Sequence, residues 1–234
     1  MEKVQSTELV FYTCFFGNNE NWANLIPDVP SEKYNCFYFT NNIDTWKRVS
    51  MTKWKPIFID VPIKNNNTQS AFDSKHLKSC PHLYEMLNVY DYICYFDSKH
   101  NVNVDLIERW VLFLKHSPFS IILPKHPCHF KSVWEEFNLS MTIDKYSEEK
   151  DKCLAYIEKQ LNNNFKEKVN HHLTTQFIIR KNNNTTQELN EMWYEHIKEG
   201  GIMCQISFFF VQQMYENIIF PIQYQDCYSY CFSV

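Results

Sequence analysis

Glycine is nearly absent from this chain: 234 residues contain only Gly17, Gly200 and Gly201. A phosphate-binding loop of the Gly-x-Gly-x-x-Gly or Walker type needs several glycines so that backbone amides can close on phosphate, and three scattered ones cannot form it. Any nucleotide bound here must be held by side chains, helix ends or a metal. A basic excess is missing as well. The formal net charge is −4, and pairs such as Lys53/Lys55 and Lys75/Lys78 are too small to track a nucleic-acid backbone, so no nucleic-acid partner is expected. No apolar run approaches the roughly 20 residues that span a bilayer. Leu9–Phe16 is apolar, but Glu2 and Glu8 precede it and no small-residue cleavage site follows, so it reads as a first strand and not a signal peptide. The nine cysteines include no Cys-x-x-Cys pair. An odd, dispersed set points to free thiols in a reducing, cytoplasmic setting, and away from structural zinc. In that setting the sequons at Asn66 and Asn183/Asn184 carry no meaning.

What the chain does have is a large apolar and aromatic fraction, 44% and 17%, which excludes disorder and implies one well-packed domain over residues 1–234. Strand-like runs fall at Leu9–Phe16, Asn35–Thr40, Pro56–Asp60, Tyr92–Asp97, Phe119–Pro124, Leu173–Arg180 and Ile218–Ile222. Helical periodicity lies between them, at Asp105–His116, Glu148–Leu161 and Thr186–Lys198, and more weakly at Leu77–Leu87, where Pro81 interrupts. Cys204–Tyr215 reads as either a last helix or a buried apolar segment. The asparagine runs at 65–67, 162–164 and 182–184 read as loop tips. Strands alternating with helices imply an α/β domain, a mostly parallel central sheet flanked by helices on both faces.

In such a sheet, ligands gather outside the carboxyl ends of the strands. The strand ending at Asp97 is followed at once by Ser98, Lys99 and His100, so Asp97 faces a crevice. Carboxylates there are the hard ligands that Mg2+ or Mn2+ prefers, and an Asp-x-Asp pair would hold such an ion against the diphosphate of a nucleotide sugar. Here Lys99 stands where the second acid would be. Its ammonium is expected to take over part of the neutralisation of phosphate charge. Lys75 and Lys78 precede this strand and suit phosphate or ribose contact. His126 and His129 sit on a proline-stiffened loop. Glu136 follows on a short helix, from which it is able to serve as a general base. Cys204 is not expected to be a nucleophile, because no paired histidine and acid is legible.

Taken in order, these pieces resemble a family of glycosyltransferase-like domains long catalogued as of unknown function, found in plant mucilage-related proteins, bacteria and large DNA viruses. The resemblance rests on Tyr12-Thr13, Gly17-Asn18, Phe39-Thr40-Asn41-Asn42 and Trp46. It continues with Lys75 and Lys78, Pro81-His82, the Tyr90–Asp97 run, and His126-Pro127 with Glu136. Arg180, Asn182 and Trp193 follow, and Met203–Phe208 closes it. It implies a GT-A-like fold and transfer of a hexosyl or deoxyhexosyl group from a nucleotide-sugar donor to a glycan or glycoprotein acceptor, in a protein that a virus could encode. By the same resemblance Thr13, Asn18 and Asn41 lie near the nucleoside. Lys75, Lys78, Lys99, His126 and Arg180 contact substrate, Asp97 holds a divalent cation, and Glu136 and Gln205 act at the sugar or acceptor. Cys204 departs from the acid that the family carries before Gln205. Two alternatives follow: a catalytically impaired nucleotide-sugar- or glycan-binding domain of the same fold, or a nucleotidyltransferase. The shortage of glycine counts against the latter.

Overall fold

The computed structural model describes residues 3–18, 25–63 and 67–231, and gives the backbone alone for Asn67, Gln69 and residues 228–231. Glu2, Asn65 and Asn66 lie outside the described residues. Strands β1 (Leu9–Phe15), β2 (Asn35–Thr40), β3 (Lys55–Phe58), β4 (Tyr92–Phe96), β6 (Ile121–Pro124), β7 (Phe177–Lys181) and β8 (Ile219–Ile222) form one sheet in the order β3-β2-β1-β4-β7-β6-β8. Only β7 runs against its neighbours in this sheet. A separate antiparallel pair joins β5 (His100–Val102) to β9 (Tyr228–Cys231), a pairing the sequence pattern does not reveal.

The inner strands are buried on both faces because helices cover both. In β1, Val10, Tyr12 and Cys14 point into one core and Leu9, Phe11 and Phe15 into the other, the alternation a pleated strand imposes. The second core is closed by α1 (Ile43–Val49) and α4 (Val104–His116), through Val49, Ile107, Val111 and Leu114. The first is closed by α2 (Asn67–Ser79), α3 (Glu85–Asn88), α8 (Asn184–Gly200) and α9 (Cys204–Met214), through Leu77, Leu87, Trp193 and Phe208. Helices α5 (Val133–Ser140) and α7 (Lys150–Asn162) build a third cluster on the far side of α9, and the short α6 (Asp144–Ser147) lies between them in the chain. Phe208, Phe209 and Phe210 are consecutive and all fully buried. Successive helix positions point about 100° apart, so α9 must be covered all round, which resolves Cys204–Tyr215 as a buried helix.

Three sequence expectations are corrected. The helix before β4 runs over Asn67–Ser79 rather than Leu77–Leu87: Pro81 cannot continue it and instead opens a 3-10 turn. Leu173–Arg180 is not one strand, since pairing in the sheet begins at Phe177 and Thr175 and Gln176 line the cleft described below. Two asparagine runs terminate helices and are not loop tips. Asn183 caps α8 by accepting from the Thr186 amide at 2.9 Å, and Asn164 adopts a left-handed φ of 68° after α7.

The chain leaving β1 at Gly17 is held by two asparagines that follow β2. Asn42 caps α1, its Oδ1 accepting from the Asp44 and Thr45 amides at 3.0 Å, and its Nδ2 donates to the Gly17 carbonyl at 2.9 Å. Asn41 accepts from the Gly17 amide at 2.9 Å. Gly17 has φ 107°, and a Cβ there would stand 3.1 Å from Ser70 of α2, so only glycine fits without strain. Asn42→Ala is expected to cost about 2 kcal/mol, one cap plus one further hydrogen bond, and Asn42→Asp about half that. Urea denaturation reads both values, and equal losses for the two variants would refute the division.

Candidate functional site

At the edge where β1, β4 and β6 end and β7 begins, the chain leaves the sheet and a cleft opens. One lobe, of about 320 Å³, is lined by Asp97, Lys99, His126, Glu136, Thr175 and Gln205, among others. A second, of about 180 Å³, lies against Phe15, Phe16 and Ala71. Cys14, Ser74, Lys75, Ser98, Lys145 and Tyr146 line both lobes, so the two adjoin. A larger groove of about 760 Å³ lies elsewhere, between residues 164–173 and 212–221, and none of its lining residues borders the cleft.

Four lysines reach the cleft from three parts of the fold. Lys75 and Lys78 are one helical turn apart on α2, Lys99 follows β4, and Lys145 comes from α6. Lys78 is only 3% exposed. Its Nζ lies 3.1 Å from Asp97 Oδ1 and 4.9 Å from the centre of the Tyr95 ring, and the Tyr95 hydroxyl donates to the same Asp97 oxygen at 2.6 Å. Burial alone would raise the Asp97 carboxyl, but Lys78, Lys99, Lys75 and the Tyr95 hydroxyl outweigh it and hold it well below the usual carboxylate range. At Lys75, burial opposes the charge, yet Cys204, Tyr146 and Asp97 raise the ammonium above its usual value. Lys145 goes the other way: burial first, then the nearby Lys75, push it down to about 8.

Glu136 anchors the opposite wall. It is 2% exposed, and its oxygens are met by four side chains. His172 Nε2 at 3.0 Å and His126 Nε2 at 3.3 Å face Oε2, while Gln205 Nε2 at 2.9 Å and the Ser140 hydroxyl at 3.2 Å donate to Oε1. Thr174 in turn donates to Gln205 Oε1 at 2.9 Å. His126 Nδ1 accepts from the Cys128 amide at 3.2 Å, which leaves its Nε2–H to face Glu136. Burial lowers the His126 pKa, in keeping with an Nδ1 that accepts a hydrogen bond. Glu136 is therefore not the free base expected from the sequence, because its lone pairs are already taken. Cys204 opens α9, its Sγ 3.4 Å from Thr175 Oγ1. Burial disfavours its thiolate, but Lys75, Lys78 and the Thr175 hydrogen bond overcome this and lower the thiol.

Of the residues singled out from sequence, Lys75, Lys78, Asp97, Lys99, His126, Glu136 and Gln205 meet in this cleft. Four do not line it. Thr13 is sealed in the second core's face of β1, while Asn41 is spent on Gly17 and Val61. Asn18 is exposed. Arg180 is 1% exposed within β7 and works from behind: Nη2 donates to the Lys78 carbonyl at 2.8 Å and Nη1 to the Tyr12 hydroxyl at 3.3 Å. Its contact is with the helix that carries the lysines, not with the cleft. Sequence reasoning missed Cys14, Ser74, Thr175, Gln176, Lys145 and Tyr146. Cys14 was legible as the alternate-face neighbour of Thr13, and Thr175 as part of a polar run before β7. Nothing in Asp144-Lys-Tyr-Ser marks Lys145.

No family model matches the sequence, and no curated protein is similar to it. Solved structures do match. Mouse xyloside xylosyltransferase 1 in its apo form superposes with a TM-score of 0.54 at 11% identity, over 92% of this chain and 85% of that one. Two others align more loosely. The mannosyltransferase Ktr4p from S. cerevisiae gives 0.47 at 12% identity, over 97% and 73% of the two chains. The Mn/GDP form of core-mannan synthase A (CmsA/Ktr4) from Aspergillus fumigatus gives 0.49 at 14%, over 94% and 73%. The fold is that of the GT-A-type glycosyltransferases, as the resemblance in sequence implied.

The divalent cation expected at Asp97 does not fit the residues around it. Hard cations take several oxygen ligands, usually more than one carboxylate. Asp97 has one oxygen committed to Lys78 and Tyr95, Glu136 is saturated, and four ammonium groups surround the remaining space. Among the described residues, no group of three or more His, Cys, Asp or Glu could hold a metal ion.

Lys145 gives a direct test of these electrostatics. Lys75, Asp97, Lys99 and Cys204 all act on it, and it should shed its proton as pH rises through about 8. A 13C-methyl reporter on the lysines, followed by NMR, should show one midpoint there and lose it in Lys145→Arg. A midpoint at the ordinary lysine value would refute the packing around α6.

Proposed function

We propose that this chain is a nucleotide-sugar-dependent glycosyltransferase that moves a hexosyl or deoxyhexosyl group to a hydroxyl of a glycan or glycoprotein acceptor. The observation that carries the reading is a two-lobed cleft at the carboxyl edge of a GT-A-type sheet, with lysines at the junction of the lobes. That layout matches the three parts of a nucleotide sugar. The aromatic and apolar lobe at Phe15, Phe16 and Ala71 suits a base, the lysines suit the diphosphate, and the polar lobe at His126 and Gln205 suits the sugar and acceptor. Bond breaking leaves negative charge on the departing diphosphate, and fixed ammonium groups in a partly dry cleft stabilise it without reorganising. Gln205 and His126, both held by Glu136, would orient the sugar and the attacking hydroxyl. Glu136 then acts as their positioning residue.

A second reading keeps the same ligand and removes the chemistry: a catalytically impaired domain that binds nucleotide sugars or glycans. The saturation of Glu136, and Cys204 in place of an acid, favour it. Release of nucleoside diphosphate from a panel of donors, with mono- and oligosaccharide acceptors, separates the two. Acceptor-dependent turnover is expected, falling about 10²-fold or more in Gln205→Ala with donor KM changed only a few-fold. Tight donor binding with no turnover for any acceptor would leave the binding domain as the function.

A further inference from the structure

The charge around Asp97 has the wrong sign for a cation and the right sign for a diphosphate. A metal site concentrates carboxylates so that the ion is attracted; this cleft has two, Asp97 with one oxygen occupied by Lys78 and Tyr95, and Glu136 with both oxygens met by other side chains. Lys75 and Lys145 line both lobes and Lys78 and Lys99 line the larger one, so four ammonium groups outweigh the carboxylates of Asp97 and Glu136 even where the Cys204 thiol is lowered. Ammonium groups neutralise phosphate as point charges and need no fork geometry, so their approach from α2, the β4 end and α6 is enough to enclose a diphosphate. Resting on the glycosyltransferase reading, we infer that the diphosphate of the donor is neutralised by Lys75, Lys78, Lys99 and Lys145 without a divalent cation, and that Asp97 serves to position these lysines.

The two roles for Asp97 give opposite results on substitution. As a metal ligand it is indispensable. As a counter-ion that holds the lysines together, its carboxylate competes with the incoming anion, and Asn at the same position keeps a hydrogen-bond acceptor for Lys78 and Tyr95 while removing the competing charge.

The test is calorimetric titration of the full chain with inorganic pyrophosphate and with UDP and GDP, in excess EDTA and again in excess Mn2+. Circular dichroism melts check that each variant is folded. Affinity in EDTA is expected to equal or exceed that in Mn2+ and to fall with added salt. Asp97→Asn should bind at least as tightly as the parent. Lys75→Ala, Lys99→Ala and Lys145→Ala should each weaken binding about tenfold, partly restored by arginine. Binding that needs Mn2+ and disappears in folded Asp97→Asn would overturn the inference and leave the glycosyltransferase reading standing. Failure of all three probes to bind in either condition would overturn both.

Discussion

An ammonium group buried at the carboxyl edge of a sheet, Lys78 against Asp97, is the interaction on which the rest of the cleft depends. Removing such a charge from water costs several kcal/mol, offset only where geometry and extra partners are good. Lys78 has both: a carboxylate at 3.1 Å and the face of Tyr95. Holding it there requires that the end of α2 be immobile. The Tyr12 hydroxyl bonds the Leu77 and Lys78 carbonyls, and Arg180 bonds the Lys78 carbonyl and lies over Trp193. A guanidinium at the carboxyl end of a helix also complements its dipole. Arg180 thus places a fifth positive charge behind the four that line the cleft. The core and the site share one set of contacts.

Two carboxylates border the cleft, and their surroundings assign them different work. Asp97 is 27% exposed and held charged by lysines, so it shapes the local field. Glu136 is almost fully buried. Burial works against its charge, but His172, His126 and Ser140 keep its pKa below normal. Its lone pairs orient four side chains at once, two of which, His126 and Gln205, face the cleft. A carboxylate so saturated makes a weak base and a rigid anchor. Rigidity at that wall is what positioning of a sugar requires.

Much of this was legible in the sequence, and the parts that were not share a physical reason. Every strand of the main sheet was locatable, the inner ones because burial on both faces writes continuous aromatic and β-branched runs, as in Tyr92–Phe96. Of the seven cleft residues anticipated, Asp97, Lys99 and His126 lie next to strand ends and Lys75 and Lys78 one helical turn apart, where local spacing dictates proximity; Glu136 and Gln205 lie on separate helices, which local spacing does not bring together. The failures are tertiary. Arg180 and Thr13 lie on strands in motif-like positions, but which face of the sheet they join depends on the helices packed there. Helix α2 is too polar to show an apolar stripe, so its true start was invisible while Pro81 drew attention to its end. Lys145 reaches the cleft only because α6 folds back over α2, a contact at long separation that no local pattern records.

Cys204 shows how the charge balance was set. A carboxylate at that position, beside Lys75 at the start of α9, would be ionised permanently and would cancel one of the four ammonium charges. A thiol does so conditionally. Lys75, Lys78 and the Thr175 hydrogen bond lower the Cys204 thiol despite burial, and Cys204 in turn raises the Lys75 ammonium, so the two groups are coupled. An anion at the junction would draw on the same ammonium groups and so raise the thiol again. A thiol there therefore offsets less of the lysine charge than a carboxylate would, and leaves more of it available to a ligand. Lys99 and Cys204 act in the same direction, since neither adds a permanent negative charge to the cleft. Each favours an anion there over a cation.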